Sequence, residues 1–270
     1  MLFQHIYKEI GESQTIFYGW FDAMHTRIDI AFCNVTEPEG IALIESICSE
    51  IQKMESIFNR FDPKSEISLV NSLAAIEPLK ISTELFNVLS ACISYHRLTF
   101  GTFDITVQSF ERYKDGINDI VLNTADSTVF LSNKSVHLDL NGYLKGYALD
   151  KIKELCVKNS CVDALINVGN SSICGLGNHP NGDGWRINLP DNNQSIILKN
   201  QCMSNSGNTP SHTHIINPRL GEFIDHHNII SVLCESAARA EVLSTALCVC
   251  EPEQINQILV NLGGKLPLSN

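Results

Sequence analysis

The chain has 270 residues, of which 44% are hydrophobic and 18% charged, and its formal net charge is −11. This composition is typical of a globular protein, and a chain of this length buries enough surface to fold without a disulfide or a structural metal. The deficit of Lys and Arg argues against nucleic-acid binding, because phosphate neutralisation needs a basic surface. The ten cysteines contain no Cys-x-x-Cys pair and most lie in apolar runs, which predicts reduced thiols in the core.

The first residues contain no basic segment followed by an apolar stretch of signal-peptide length. No apolar run approaches the roughly 18 to 20 residues that a membrane-spanning helix needs. The sequence as given therefore predicts a cytoplasmic chain without a membrane span, or an exported one if a leader precedes it.

Hydrophobic periodicity and turn signals predict the secondary structure in chain order. The predicted elements are a hairpin over 14–33 around Gly19 and Asp22, helices over 38–58, 65–71 and 82–98, two strands within 127–140, a helix over 142–158, two strands within 163–176, short strands at 184–189, 195–199, 213–217 and 228–234, and helices at 236–249 and 252–260. Helices and strands alternate without a regular βαβ repeat, which favours an α+β fold. We expect a single domain over 1–270.

The segment 139–146 predicts a turn followed by the start of a helix. A helix start offers backbone N–H groups and a positive dipole end to a phosphate, and Lys145 would add a positive charge. The segment has neither the Walker A spacing nor the dinucleotide-binding glycine pattern. A purely structural turn is the alternative.

Two further segments carry candidate chemistry. On a helix, Glu241 and Thr245 lie four residues apart on one face, where a carboxylate and a hydroxyl can bind a hard cation such as Mg²⁺. The alternative is an exposed Glu beside a Thr that bonds back to its own helix. His214 could act as a general base if a substrate hydroxyl lies within reach, or be structural. The adjacent histidines His226 and His227 would point to opposite faces of a strand, so they could not easily bind one metal ion together. We therefore do not treat them as a candidate site.

The segments 58–68 and 100–106 are most simply explained as a helix-to-turn junction and a helix C-cap. Ser65 is a candidate cap for a short helix reaching Asn71, and Asp104 and Thr106 are placed to hold neighbouring backbone.

The order of these segments carries more information than any of them alone. Eight segments resemble, in order, those of the ApbE family of FAD:protein FMN transferases: MHT at 24–26, FNRFDPKSEISLVN at 58–71, GTFDITV at 101–107, LDLNGYLKGYALDKI at 138–152, ALINVGNSSICGLG at 164–177, SNSGN at 204–208, HIINPRLGE at 214–222 and AEVLSTAL at 240–247. The resemblance extends over nearly the whole chain.

The resemblance implies an α+β, T-fold-like domain with two lobes and a flavin cleft between them. It implies an enzyme that binds FAD and Mg²⁺ and attaches FMN to a Thr or Ser of an acceptor protein, or hydrolyses FAD to FMN and AMP. By the same resemblance His214 is the catalytic base, and Leu144, Glu241 and Thr245 are the metal-binding residues. The implied cofactor-binding residues are Met24, Asp104, Asp139, Asn141, Gly142, Lys145, Asn167, Gly169, Ser206 and Gly207.

The chain departs from the family pattern at several of these positions. Where the family has Met-Gly-Thr, this chain has Met24-His25-Thr26, and where the family has Gly-Gly, it has Asn141-Gly142. Leu144 replaces the Ala of the family's Ala-Lys-Gly, and Asn170-Ser171-Ser172 replaces its Gly-Gly-Asp. Glu241 replaces the family's metal-binding Asp. Mg²⁺ demands near-octahedral geometry, so one extra methylene could displace the ion. The loop before His214 is also short. The alternative is therefore a catalytically degenerate member that binds a flavin, a nucleotide or a protein partner without turnover.

Overall fold

The computed structural model describes residues 1–10, 14–109, 116–190, 194–208, 213–225 and 228–267. The helices are α1 (Glu37–Phe58), α2 (Glu66–Leu73), α3 (Thr83–Leu98), α4 (Asn141–Lys158), α5 (Ala237–Leu247) and α6 (Ile255–Leu262). The strands are β1 (Gln4–Ile10), β2 (Gln14–Ala23), β3 (Thr26–Cys33), β4 (Leu79–Lys80), β5 (Ile120–Asn123), β6 (Thr128–Leu131), β7 (Ala164–Val168), β8 (Ser172–Leu176), β9 (Trp185–Asn188), β10 (Ser195–Leu198), β11 (Gln201–Ser206), β12 (Ile216–Asn217), β13 (Glu222–Phe223) and β14 (Ile230–Cys234).

A seven-stranded sheet dominates the fold, with the order β1-β2-β3-β7-β8-β11-β14. Every pair of neighbours in it is antiparallel, so no βαβ crossover unit is required. The strand pairs β9–β10 and β12–β13 and the three-stranded sheet β4-β6-β5 lie outside it. This arrangement confirms the predicted α+β class.

Helix α1 is fixed at its start and along its buried face. Thr36 and Glu39 form a reciprocal capping box, in which each side chain accepts a hydrogen bond from the backbone N–H of the other. Ile44, Ile47 and Ile51 lie on one face of the helix and are fully buried. Each such side chain contributes about 1.5 to 3 kcal/mol through removal of apolar surface from water.

Helices α4 and α5 pack against each other at a glycine. A Cβ added at Gly146 would lie 2.3 Å from the carbonyl oxygen of Ala237, so only a residue without a side chain permits this approach. Asp150 on α4 caps the start of α5: its carboxylate accepts hydrogen bonds from the N–H groups of Ala237 and Ala238, at 2.9 and 3.0 Å, and from the hydroxyl of Ser236, at 2.7 Å. These contacts hold α5 at a fixed distance from the start of α4.

Of the two strands predicted within 127–140, the structure contains one. Only Thr128–Leu131 forms a strand, and residues 132–140 have no ladder partner among the described residues. Asn71 takes the place of a strand partner, since its side chain accepts from the Leu138 N–H at 2.8 Å and donates to the Leu138 carbonyl at 3.0 Å. An amide side chain from a distant helix thus satisfies backbone that the apolar pattern assigned to a sheet.

Other boundaries also differ from the predictions. The hairpin over 14–33 turns at Met24 and His25, not near Gly19 or Asp22, and both turn residues have positive φ angles of 51° and 57°. Such angles match the two-residue turn that joins twisted antiparallel strands. Of the strand predicted at 213–217, only 216–217 forms, and the sequence patterns do not predict β1, β4, β5, β11 or β13. The histidine pair at 226–227 lies outside the described residues.

The thiols behave as the sequence predicts, since every cysteine except Cys250 is buried. Burial raises the pKa of Cys33 to about 12. Within the ranges that the structure describes, no helix is long and apolar enough to cross a bilayer.

The close approach at Gly146 predicts that Gly146→Ala lowers the free energy of unfolding by about 1 to 3 kcal/mol, because the new methyl group meets backbone that cannot move aside easily. Chemical denaturation followed by circular dichroism measures this change. Gly182→Ala is the matched control: nothing lies within 4 Å of its added Cβ, and we expect a change within about 0.5 kcal/mol. Equal effects of the two substitutions would contradict the packing argument.

Candidate functional site

Two cavities meet at the start of α4. The larger, of about 750 Å³, is lined on its apolar side by Met24, Phe58 and Phe61. Most of the residues that line the smaller, of about 390 Å³, have polar side chains. Asn141, Lys145 and Gly169 line both, so the two cavities form a continuous cleft. A ligand with a flat ring and a polar tail matches this division.

The start of α4 is more fully hydrogen-bonded than the sequence suggests. Asp139 accepts a hydrogen bond from the Asn141 N–H at 2.9 Å, and the N–H groups of Tyr143 and Leu144 bond to the Leu140 carbonyl. The expectation of several free N–H groups is therefore wrong for these three residues. The positive end of the helix dipole is partly neutralised by the Asp139 carboxylate.

Arg60 compensates the charge of Asp139. Its Nη1 atom lies 2.9 Å from Asp139 Oδ2 and 3.1 Å from Gln108 Oε1, and its guanidinium lies over the ring of Phe61, 4.8 Å from the centroid. Arg60 Nε is buried and has no hydrogen-bond partner among the described residues. Sequence reasoning missed Arg60, although it lies in the segment 58–71; its charge beside a helix end was the available signal.

Helix α5 presents Glu241 and Thr245 to the smaller cavity, as their spacing predicts. Glu241 is only 3% exposed, which excludes the alternative of a solvated glutamate. Its Oε2 accepts hydrogen bonds from Ser172 and Ser204, while Oε1 lies 3.4 Å from Lys145 Nζ. Lys145 also hydrogen-bonds to Ser171. The buried carboxylate is thus paired with an ammonium group and with hydroxyls.

His214 lines the same cavity and is exposed to solvent. Asn208 holds its backbone: the buried Asn208 side chain accepts from the N–H groups of His214 and Ile215, at 3.0 and 3.2 Å, and donates to the Ile224 carbonyl at 2.9 Å. Asn208 was not predicted as a site residue, although it ends the segment SNSGN. It fixes where the histidine enters the cavity, and Ser206 and Gly207 line the wall beside it.

Two hairpin tips also line the cleft. Strand β3 pairs with β7, and the register Ile28↔Val168 brings the β2–β3 and β7–β8 turns to one end of the sheet. Gly169 has a φ of +64°, and a Cβ there would lie 2.6 Å from Thr26 Oγ1, so the turn requires glycine. Met24 lines the larger cavity. Asn167 hydrogen-bonds to Asn170 and does not line either of these two cavities.

The remaining predicted residues divide between the two cavities. Asp104, Asp139 and Gly142 line the smaller one, whereas Leu144 lines the larger. Asp104 turns its Oδ1 toward its own loop, where it accepts from the Thr106 N–H and hydroxyl at 2.7 and 2.6 Å. This contact agrees with the local role that the sequence suggests.

The donor set near α5 fits a divalent cation that is shared with a phosphate. Glu241 and Thr245 offer hard oxygen atoms, which Mg²⁺ prefers. Within the described part of the chain, no three His, Cys, Asp or Glu side chains form a group that could hold a metal. Mg²⁺ commonly takes one or two carboxylates and completes its shell with substrate phosphates and water. Glu241 and Thr245 thus have the oxygen-donor chemistry that Mg²⁺ takes.

Comparisons with known proteins concern the family and the fold of the chain. The model of the ApbE family matches residues 24–267. The chain is 27% identical to the FAD:protein FMN transferase of Chlamydia pneumoniae, over 88% of this chain and 82% of the relative, and 28% identical to that of Chlamydia muridarum, over 74% and 73%. The flavinyl transferase ApbE of Pseudomonas stutzeri has a similar fold, with a TM-score of 0.82 at 19% identity, over 94% of this chain and 90% of that one.

The pairing of Arg60 with Asp139 predicts energetic coupling between them. In a double-mutant cycle with Arg60→Gln and Asp139→Asn, we expect a coupling energy of about 1 to 2 kcal/mol, because the Asp139 side chain is 5% exposed. Urea denaturation of the four proteins measures it. The exposed pair Lys199 and Asp183 is the control, with an expected coupling near zero. The proposed role of Arg60 fails if both pairs couple equally.

Proposed function

Because the chain belongs to the ApbE family, we propose that it transfers FMN from FAD to a Thr or Ser hydroxyl of an acceptor protein in a Mg²⁺-dependent reaction. One observation carries the proposal: Lys145, Glu241, Thr245 and His214, from three distant segments, line a single cavity. Similarity to relatives named FAD:protein FMN transferase supports the flavin substrate.

The electrostatics of the cleft support the need for a cation. The smaller cavity is lined by three carboxylates, those of Asp104, Asp139 and Glu241, and by one ammonium group, that of Lys145. Arg60 adds one further positive charge through its contact with Asp139. A diphosphate would meet a wall with an excess of negative charge, so an added divalent cation is needed to balance the charges.

The division of the cleft supports an orientation for FAD. The apolar walls of the larger cavity suit a planar ring, and Lys145, which lines both cavities, suits the diphosphate. Phe61 and His25, whose rings meet edge to face at 4.9 Å, lie at the same cavity. Met24, Asn141, Gly142, Gly169, Ser206 and Gly207 are proposed to contact the ligand, whereas Asn167 would act through its turn.

The proposed reaction is an in-line substitution at phosphorus. His214 accepts the proton of the acceptor hydroxyl, the hydroxyl oxygen forms a bond to the FMN phosphorus, and the bond to the AMP oxygen breaks. The products are acceptor-bound FMN and AMP, and water in place of the acceptor gives free FMN. When bound to Glu241, Thr245 and the Leu144 carbonyl, Mg²⁺ would neutralise charge on the leaving phosphate. Lys145 holds the diphosphate where the two cavities meet.

A flavin-binding protein without turnover is the second candidate. One observation favours it: both carboxylate oxygens of Glu241 already have partners, the serines at Oε2 and Lys145 at Oε1. Metal binding requires Lys145 to move away from Oε1. If the ammonium keeps its place, the site would hold FAD without activating it.

Two measurements separate these candidates. We expect FAD to raise the melting temperature by several degrees, and more with Mg²⁺, because a ligand at about 100 times its dissociation constant adds roughly 2.7 kcal/mol. We also expect AMP release from FAD that stops when EDTA removes the metal. Stabilisation by FAD without AMP release favours a flavin-binding protein without turnover. A melting temperature that does not change with FAD rejects both candidates.

Variants test the assigned roles. Glu241→Gln should lower the rate of AMP release about 100-fold or more by weakening the cation site, and His214→Ala should lower it about 10²- to 10⁴-fold while FAD still binds. Glu253→Gln, which removes an exposed carboxylate at the surface, is the control and should leave the rate unchanged. A His214→Ala protein with full activity would remove the histidine from the mechanism.

A further inference from the structure

We infer that four serines orient the two metal-binding side chains, and this inference rests on the proposed metal-dependent function. The residues, here called the serine chain, are Ser172, Ser204, Ser244 and Ser206. They connect the Glu241 carboxylate to the Thr245 hydroxyl through continuous hydrogen bonds. Their proposed role is to direct the oxygen lone pairs of both residues into the cavity, as positioning residues.

At one end, the chain restricts how Glu241 can bind a cation. Ser172 and Ser204 both donate to Oε2, the latter at 2.8 Å, so the lone pairs of this oxygen are occupied. Oε1 is the oxygen that faces the ammonium group of Lys145. Glu241 is therefore positioned to offer only Oε1 to a cation. The two serines thus fix the side chain despite the extra methylene that distinguishes it from the family's aspartate.

The direction of the hydrogen bonds follows from counting protons. A carboxylate only accepts, so the single proton of Ser204 is committed to Glu241. Ser244 must then donate toward Ser204, at 3.0 Å, or toward the Glu241 carbonyl, at 3.1 Å. The contact of 2.7 Å between Ser206 and Ser244 consequently uses the proton of Ser206. The three serine protons thus supply three of these four contacts, whereas donation from Ser244 to Ser206 would leave both other contacts of Ser244 without a proton.

The other end of the chain fixes Thr245. Because Ser206 donates its hydroxyl proton to Ser244, the contact of 3.3 Å between Ser206 and Thr245 requires the Thr245 hydroxyl to donate. Its remaining lone pairs are then available to the cavity that it lines. Ser204 and Ser244 are fully buried, so water cannot readily replace their hydroxyls. The polarity of the whole chain is therefore set by the charge of Glu241.

Manganese binding tests this inference without relying on activity. Mn²⁺ is titrated against the full-length protein with saturating FAD on ice, and free Mn²⁺ is measured by electron paramagnetic resonance. We expect Ser206→Ala and Ser204→Ala each to raise the Mn²⁺ dissociation constant about tenfold, as loss of a partner of a metal ligand does. Ser206→Thr, which keeps the hydroxyl, should restore binding. In Ser204→Ala, whose residue does not line the cavity, the dissociation constant of FAD without metal should not change.

Ser231→Ala is the matched control, because it removes a hydroxyl from the neighbouring strand β14 without touching the serine chain. Thermal melts identify variants that do not fold. If the buried Ser204 cannot be replaced without unfolding the protein, the variants of the half-buried Ser206 provide the test. Wild-type affinity for Mn²⁺ in both alanine variants overturns the inference alone. If the wild-type protein binds no Mn²⁺ with FAD, the metal-dependent function and the inference both fail.

Discussion

The contact between α4 and α5 is the constraint on which the site depends. Gly146 lets the two helices approach until its α-carbon meets the backbone of Ala237, and Asp150 caps the start of α5. Lys145 lies next to that glycine, and Glu241 lies one turn into α5. The separation of 3.4 Å between the ammonium and the carboxylate is therefore set by backbone packing and not by the two side chains alone.

The packing also explains how buried charge is tolerated here. Asp139 and Glu241 are both almost inaccessible to solvent, and each has a cationic partner and further hydrogen bonds. Arg60 reaches Asp139 from the α1–α2 connection, whereas Lys145 reaches Glu241 from α4. Because each cation comes from an element that also lines the cleft, a bound anion would compete directly for the groups that compensate the two buried carboxylates.

The structure gives a physical reason for two positions at which this chain departs from the family pattern. Glu241 is longer than the family's aspartate, yet Ser172 and Ser204 hold its distal oxygen from two different strands. His25 occupies a position where the family has glycine, and its φ of 57° fits the hairpin turn while its ring packs against Phe61. Neither substitution empties the cleft. His25 forms part of the wall of the larger cavity, and Glu241 takes part in the hydrogen bonds beside the smaller one.

Local signals in the sequence determined the α+β class, the helix starts at Ser65 and Ser82, and the shared face of Glu241 and Thr245, because caps and periodicity act over a few residues. Only the tertiary structure decided that Asn71 replaces a strand partner for Leu138 and that Arg60 pairs with Asp139, 79 residues away. The serine chain likewise joins β8, β11 and α5. Such contacts depend on how segments far apart in sequence pack together, and no short pattern encodes that packing.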